Sequence, residues 1–184
     1  MKSTDTILVV LDLDETLLHA SEEKLILEED FEYANYYVYI RPHLKYFLEE
    51  ISKHFSVAIW SSADDLYVND LVEKIKPSTV NFEFVWGKSR CTLRRDYELD
   101  TYVQAKHLKK LKKKGFSLEK ILIIDDSPEK TKDNYGNAIY IYPFEGETHD
   151  TELKHLANYL ISIRDTENVR HLEKRGWRHK NTLE

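Results

Sequence analysis

A single cysteine, Cys91, rules out an internal disulfide in this chain of 184 residues and fits a reducing compartment. Glycine (5) and proline (4) are too few for a flexible linker or a low-complexity segment. No apolar run approaches the roughly 20 residues that cross a bilayer, and no apolar signal core stands near the N-terminus. Positive charge is not in excess either: 27 lysines and arginines face 33 aspartates and glutamates, a net charge of -6 that disfavours nucleic acid as a partner. What remains is the composition of a globular domain, 41% hydrophobic and 33% charged, long enough for one sizeable core. The expectation is one domain over 1–184, with no membrane contact, in the cytoplasm or, in a eukaryote, the nucleus. Composition sets no oligomeric state.

The stretch that organises the chain is Ile7-Leu8-Val9-Val10-Leu11-Asp12-Leu13-Asp14-Glu15-Thr16-Leu17. Five apolar, mostly β-branched residues run unbroken into Asp12, the pattern of a parallel strand buried on both faces. Two carboxylates, Asp12 and Asp14, follow at its C-terminal end, where open α/β sheets bind ligands. Paired carboxylates there form an anionic pocket that calls for a cation or a proton.

Further on, 15–23 reads as a loop and 31–40 as an aromatic strand pair turning at Ala34-Asn35. Pro42 opens a helix carrying Leu44, Phe47, Leu48 and Ile51 to about residue 54. Residues 55–60 form a second buried strand, ending in Ser61-Ser62. Asp64 or Asp65 caps the helix of Leu66, Val68, Leu71, Val72 and Ile75. This βαβ rhythm predicts an α/β fold with a central parallel sheet. Residues 80–102 interrupt it: Phe82, Phe84 and Trp86 alternate as a strand, and the rest, with a short strand at 91–94, reads as a small β insertion over the active edge. A helix is predicted over 103–114, a buried strand at 121–124 running into Asp125-Asp126-Ser127-Pro128, a last strand at 138–141, a helix over 150–164 and a charged tail.

Three buried strands thus end in Asp12/Asp14, Ser61 and Asp125/Asp126, and Lys106 lies on the predicted helix before the last. Parallel strands bring all these ends to one edge. The chemistry that needs such a set is phosphoryl transfer. Magnesium and Lys106 offset the phosphate charge. Ser61, with Ser62 beside it, binds phosphate oxygens. Asp12 attacks phosphorus to form an aspartyl-phosphate, and Asp14 moves the proton.

Asp12-Leu13-Asp14-Glu15-Thr16-Leu17, Ser61, Lys106 and Asp125-Asp126-Ser127-Pro128 resemble the four motifs of the haloacid dehalogenase superfamily. With His19-Ala20-Ser21 and Arg41-Pro42-His43 they resemble its FCP/SCP branch, phosphatases of the RNA polymerase II C-terminal domain, also called NLI-interacting-factor-like phosphatases. The likeness runs over 7–163. It implies a three-layer Rossmann-like core and a magnesium-dependent phosphatase, acting foremost on phosphoserine or phosphothreonine in proteins. It further implies Asp12 as nucleophile and metal ligand, and Asp14 as acid/base with its carbonyl on the metal. Ser61 and Lys106 take the phosphate, Asp126 is a direct ligand and Asp125 supports the metal from behind. Asp126 departs from the asparagine common in the branch and adds a negative charge. In 80–102, Lys88 or Arg90 could meet a second anionic group.

Rival readings are a phosphatase of small metabolites or nucleic-acid ends with the same mechanism, and a non-catalytic scaffold of the same fold. Singly, each motif has a plainer reading. Ser61 and Asp125-Asp126 could be helix caps, and Lys106 a solvated lysine with Lys109 as competitor. The lysine run 109–114 reads as a wet helix face. His19, His43, His107 and His149 share no metal-ligand spacing. Cys91 has no base beside it and reads as inert. The aromatics of 31–39 either join the core or wall the substrate groove, with the groove preferred.

Overall fold

A computed structural model describes residues 6–180 apart from 99; Leu99 of the predicted insertion and the last four residues of the predicted tail lie outside them. In chain order the elements are β1 (Leu8–Leu11), β2 (Leu18–Ser21), β3 (Phe31–Tyr33), β4 (Tyr36–Ile40), α1 (Leu44–Ile51), β5 (Ser56–Trp60), α2 (Asp65–Ile75) and β6 (Phe82–Trp86). After these come β7 (Thr92–Asp96), β8 (Thr101–Ala105), β9 (Ile121–Asp125), α3 (Pro128–Thr131), β10 (Ala138–Tyr140) and α4 (Glu152–Ser162).

β1 is the centre of a five-stranded sheet in the order β10-β9-β1-β5-β6. All four pairings are parallel. The unbroken apolar run of β1 exists because both faces of the sheet are covered. Val9 and Leu11 face a core shared with α1, α2 and α4. Leu8 and Val10 face the opposite core, with Leu108 and Leu111. This three-layer α/β arrangement is the expected fold. Leu11 stands opposite both Ile59 and Ile124, so β1, β5 and β9 end at one level.

Two small sheets flank that edge. β2, β4 and β3 form an antiparallel sheet, and β7 and β8 form a hairpin. β2 replaces part of the predicted loop 15–23; its Leu-His-Ala-Ser is short and poor in β-formers, and pairing with β4 makes it a strand. Of the predicted insertion 80–102, residues 82–86 are β6, the edge of the main sheet. The hairpin runs through to Ala105.

The helix predicted over 103–114 is not there. Val103 pairs with Arg94 across the hairpin, and Leu108–Lys114 is 3-10 helix. Leu108 and Leu111 are three apart, a spacing that suits a 3-10 turn as well as an α-helix. Pairing with β7 takes up the tyrosine and β-branched residues just before them. The lysine run is only partly wet: Lys114 lies 5.6 Å over the Trp86 ring, and Lys110 Nζ donates to the Arg90 carbonyl at 2.6 Å.

The predicted tail folds back. Val169 and Trp177 are buried, and Trp177 Nε1 donates to the Tyr140 carbonyl at 3.0 Å. No helix among the described residues is long and apolar enough to cross a membrane.

Candidate functional site

The shared level of β1 and β9 sets the site. Asp12 N donates to the Ile124 carbonyl at 2.9 Å, extending the strand pairing by one residue, so Asp12 and Asp125 leave the sheet side by side. Ser61 N is tied to the Trp86 carbonyl at 2.9 Å in the same way. Glu15, at φ 55, then turns the chain sharply after Asp14.

Asp12, Asp125 and Asp126 place carboxylate oxygens within 4.8 Å of one another. Asp12 and Asp125 are buried. Asp12 Oδ2 and Asp126 Oδ1 are buried without a hydrogen-bond partner. Anionic oxygens are not left so unless something neutralises them. Converging, partly unpaired hard oxygens of this kind fit a divalent cation such as magnesium. Asp14 is outside this cluster. Its carboxylate turns toward α2, where Ser61 Oγ donates to Oδ2 at 3.1 Å and Tyr67 Oη donates to Oδ1 at 2.6 Å.

Lys106 is buried and donates to Asp12 Oδ1 at 2.6 Å and to Asp125 Oδ2 at 2.7 Å. It lies between β8 and the 3-10 segment rather than on a helix, while its competitor Lys109 is exposed. Burial works against its charge, but Asp12 and Asp125 overcome that and raise its pKa. Burial and then the Asp12 charge push Asp125 up, to about 7 despite Lys106. Asp14 is raised first by burial, against the lowering effect of the Tyr67 hydrogen bond, and Asp126 by burial and by Asp12. These are the marks of carboxylates crowded together out of water.

Ser61 is buried, and its hydroxyl also accepts from Ala63 N at 3.0 Å. Ser62 is half-buried, and no side-chain partner of it stands among the described residues. Asp64 proves to be the cap of α2, accepting from Leu66 N and Tyr67 N. Cys91 is half-buried with its thiol pushed up by burial, in keeping with an inert role. In the aromatic stripe, Val38 and Tyr39 are core, whereas Tyr33 and Tyr36 pack edge-on against Tyr67 at 5.7 and 6.1 Å.

Sequence reasoning passed over two residues, Tyr67 and Lys130, and gave a third, Arg41, no role. Tyr67 faces back from the first turn of α2 onto Asp14; the cap at Asp64 was the available signal. Lys130 lies on α3 just past Asp126. Arg41 is wholly buried, with Nη2 on Asp150 Oδ2 at 2.8 Å and Nη1 on the Thr16 carbonyl at 3.1 Å. It ties the loop behind Asp14 to Asp150, far along the chain.

Residues 7–170 match the sequence model of the family described as NLI interacting factor-like phosphatase. The CTD small phosphatase-like protein 2 of Dictyostelium discoideum is 33% identical over 175 residues, covering 91% of this chain and 29% of that protein. The human carboxy-terminal domain RNA polymerase II polypeptide A small phosphatase 1 is 28% identical over 178 residues, covering 91% of this chain and 63% of that protein. The chain thus spans less than two thirds of either relative. Among solved structures, a variant of the fission yeast RNA polymerase II CTD phosphatase Fcp1 bound to beryllium fluoride superposes with a TM-score of 0.58. It is 17% identical and is covered over 94% of this chain and 54% of that one, a likeness of fold. With the match of 7–170 and the aspartate pairs brought to one sheet edge, the chain belongs to the NLI interacting factor-like phosphatase family.

Proposed function

We propose that this chain is a magnesium-dependent phosphatase of phosphoserine and phosphothreonine in proteins. The observation that carries the reading is the convergence of Asp12, Asp125 and Asp126 within 4.8 Å, beside a lysine clamped on the first two. Asp12, Asp126 and the Asp14 carbonyl would hold magnesium, which when bound supplies positive charge for the phosphate oxygens. Lys106 fixes the Asp12 carboxylate through Oδ1. Asp12 then attacks phosphorus in line, and the bond from phosphorus to the serine or threonine oxygen breaks. Asp14, raised toward its protonated form, gives that oxygen its proton. It next takes a proton from a water that attacks the aspartyl-phosphate, returning Asp12 and releasing phosphate. Ser61, whose hydroxyl lies on Asp14, is within reach of both the phosphate and the acid.

A protein substrate is supported by the covers of the site. Among the described residues these are a three-stranded sheet and a hairpin, with no closing domain. The human relative's name points to a polymerase tail as its own substrate. The test is turnover of phosphopeptides against sugar phosphates and phosphorylated oligonucleotides, with magnesium and with chelator. Phosphopeptides should lead by at least about tenfold in kcat/KM, and chelator should stop turnover. Asp12→Asn should abolish turnover with melting near that of the wild type. Near-native activity in that variant, or a sugar phosphate as the preferred substrate, overturns the reading.

A further inference from the structure

The mechanism above leaves one cation at the site unused. Lys130 follows Asp126 on α3, and both sides of its backbone are tied down. Its carbonyl accepts from Lys106 N at 2.8 Å, and the Glu129 carbonyl accepts from Arg94 Nη2 at 2.9 Å. The lysine is half-buried, yet no hydrogen bond or ion pair of its ammonium exists among the described residues. Lys106 differs: it is already held by two carboxylates, at 2.6 and 2.7 Å. The Lys130 charge acts on Asp14, Asp125 and Asp126, and Asp12 is the strongest charge acting on it in return. Burial opposes its protonation, but those carboxylates prevail.

Charge balance gives this lysine a task. With Asp14 carrying the proton it donates, three ionised carboxylates are only balanced by Lys106 and one divalent cation, so the two charges of an entering phosphate dianion meet no compensation. Lys130 supplies a positive charge for them without being consumed by a partner. We propose that Lys130 is a substrate-binding residue whose ammonium receives the phosphate group on entry, contacting a peripheral phosphate oxygen. The proposal rests on the phosphatase reading and adds to it a second phosphate-binding cation, outside the motif lysine.

The test uses the full chain, with Lys130→Met and Lys130→Arg, and calorimetric titration with two probes: magnesium alone, and inorganic phosphate in the presence of magnesium. Lys130→Met should weaken phosphate binding by about tenfold or more, the worth of a charged hydrogen bond. Its KM for a phosphopeptide should rise by a larger factor than its kcat falls. The same variant should bind magnesium more tightly, because a like charge has left the cluster. Lys130→Arg should restore both. Phosphate binding within twofold of wild type in Lys130→Met overturns the proposal. So does a joint loss of phosphate and magnesium binding with a lower Tm, which marks a folding role, and so does a wild-type chain that binds no phosphate. If phosphate binding responds as expected but no phosphoester is turned over, the phosphatase reading fails and Lys130 stands as a phosphate site.

Discussion

Tyr67 and Asp14 share a hydrogen bond of 2.6 Å that bears directly on the proposed acid/base step. The bond stabilises the ionised carboxylate, so it lowers an Asp14 pKa that burial raises. Tyr67→Phe removes the donor and should move that pKa further up. The basic limb of the kcat/KM profile, which reports the acid in the free enzyme, should then shift to higher pH, with kcat down about tenfold. An unmoved limb separates Tyr67 from the acid. Asp126 presents the opposite case, a charge that the metal-free fold carries at a cost. A carboxylate raised in the folded state holds its proton more tightly there than in the unfolded chain. Its contribution is therefore full below the ordinary value of 3.8 and is lost as pH rises through the raised one. At neutral pH Asp126→Asn should raise Tm in chelator and weaken magnesium binding, read by thermal melts with and without metal. A lower Tm in chelator contradicts this account of the cluster.

Among the elements, the connection from β1 to β2 decides where Asp14 stands, and Arg41 holds it. The guanidinium is fully buried and forked onto Asp150, at 3.1 Å from Nε and 2.8 Å from Nη2, with main-chain carbonyls of Thr16 and Tyr142 taking other donors. Removing one member of a buried pair strands the other. Arg41→Ala should cost about 3–5 kcal/mol, a fall in Tm on the order of 10 °C, followed by calorimetry. A loss under about 1 kcal/mol would mean the pair is only a surface contact. The strand ends themselves need no such brace, because the parallel ladder sets Leu11 level with both Ile59 and Ile124.

At the scale of the molecule, the last described segment returns to the core. Trp177 is buried, packs against Tyr159 with ring centres 5.7 Å apart and donates to the exposed edge of β10. Trp177→Ala should cost about 3–5 kcal/mol and lower Tm, while KM for a phosphopeptide stays near wild type because the partners of the indole are Tyr159 and the Tyr140 carbonyl, not the site carboxylates. A large change in KM would contradict that placement. The core and the aspartate pairs were legible because apolar runs before Asp12 and Asp125 can be satisfied only by strands covered on both faces. The capped helix after Ser61 was legible too, since Asp64 and the helical spacing from Val68 to Ile75 agree. Residues 18–21 and 101–105 were not: the first are few and poor in β-formers, the second run into leucines spaced as in a helix, and in each case a partner strand elsewhere in the chain makes them β. Taken singly, Lys106 could not be told from a solvated lysine, and only the joint pattern and the family resemblance singled it out; nothing in the sequence placed Tyr67 on Asp14, or predicted that Arg41 and Trp177 reach across more than a hundred residues and the sheet's last edge. Local pattern reports what a segment can bury. Which charges end up facing one another depends on strand register and loop closure, and those are properties of the assembled sheet.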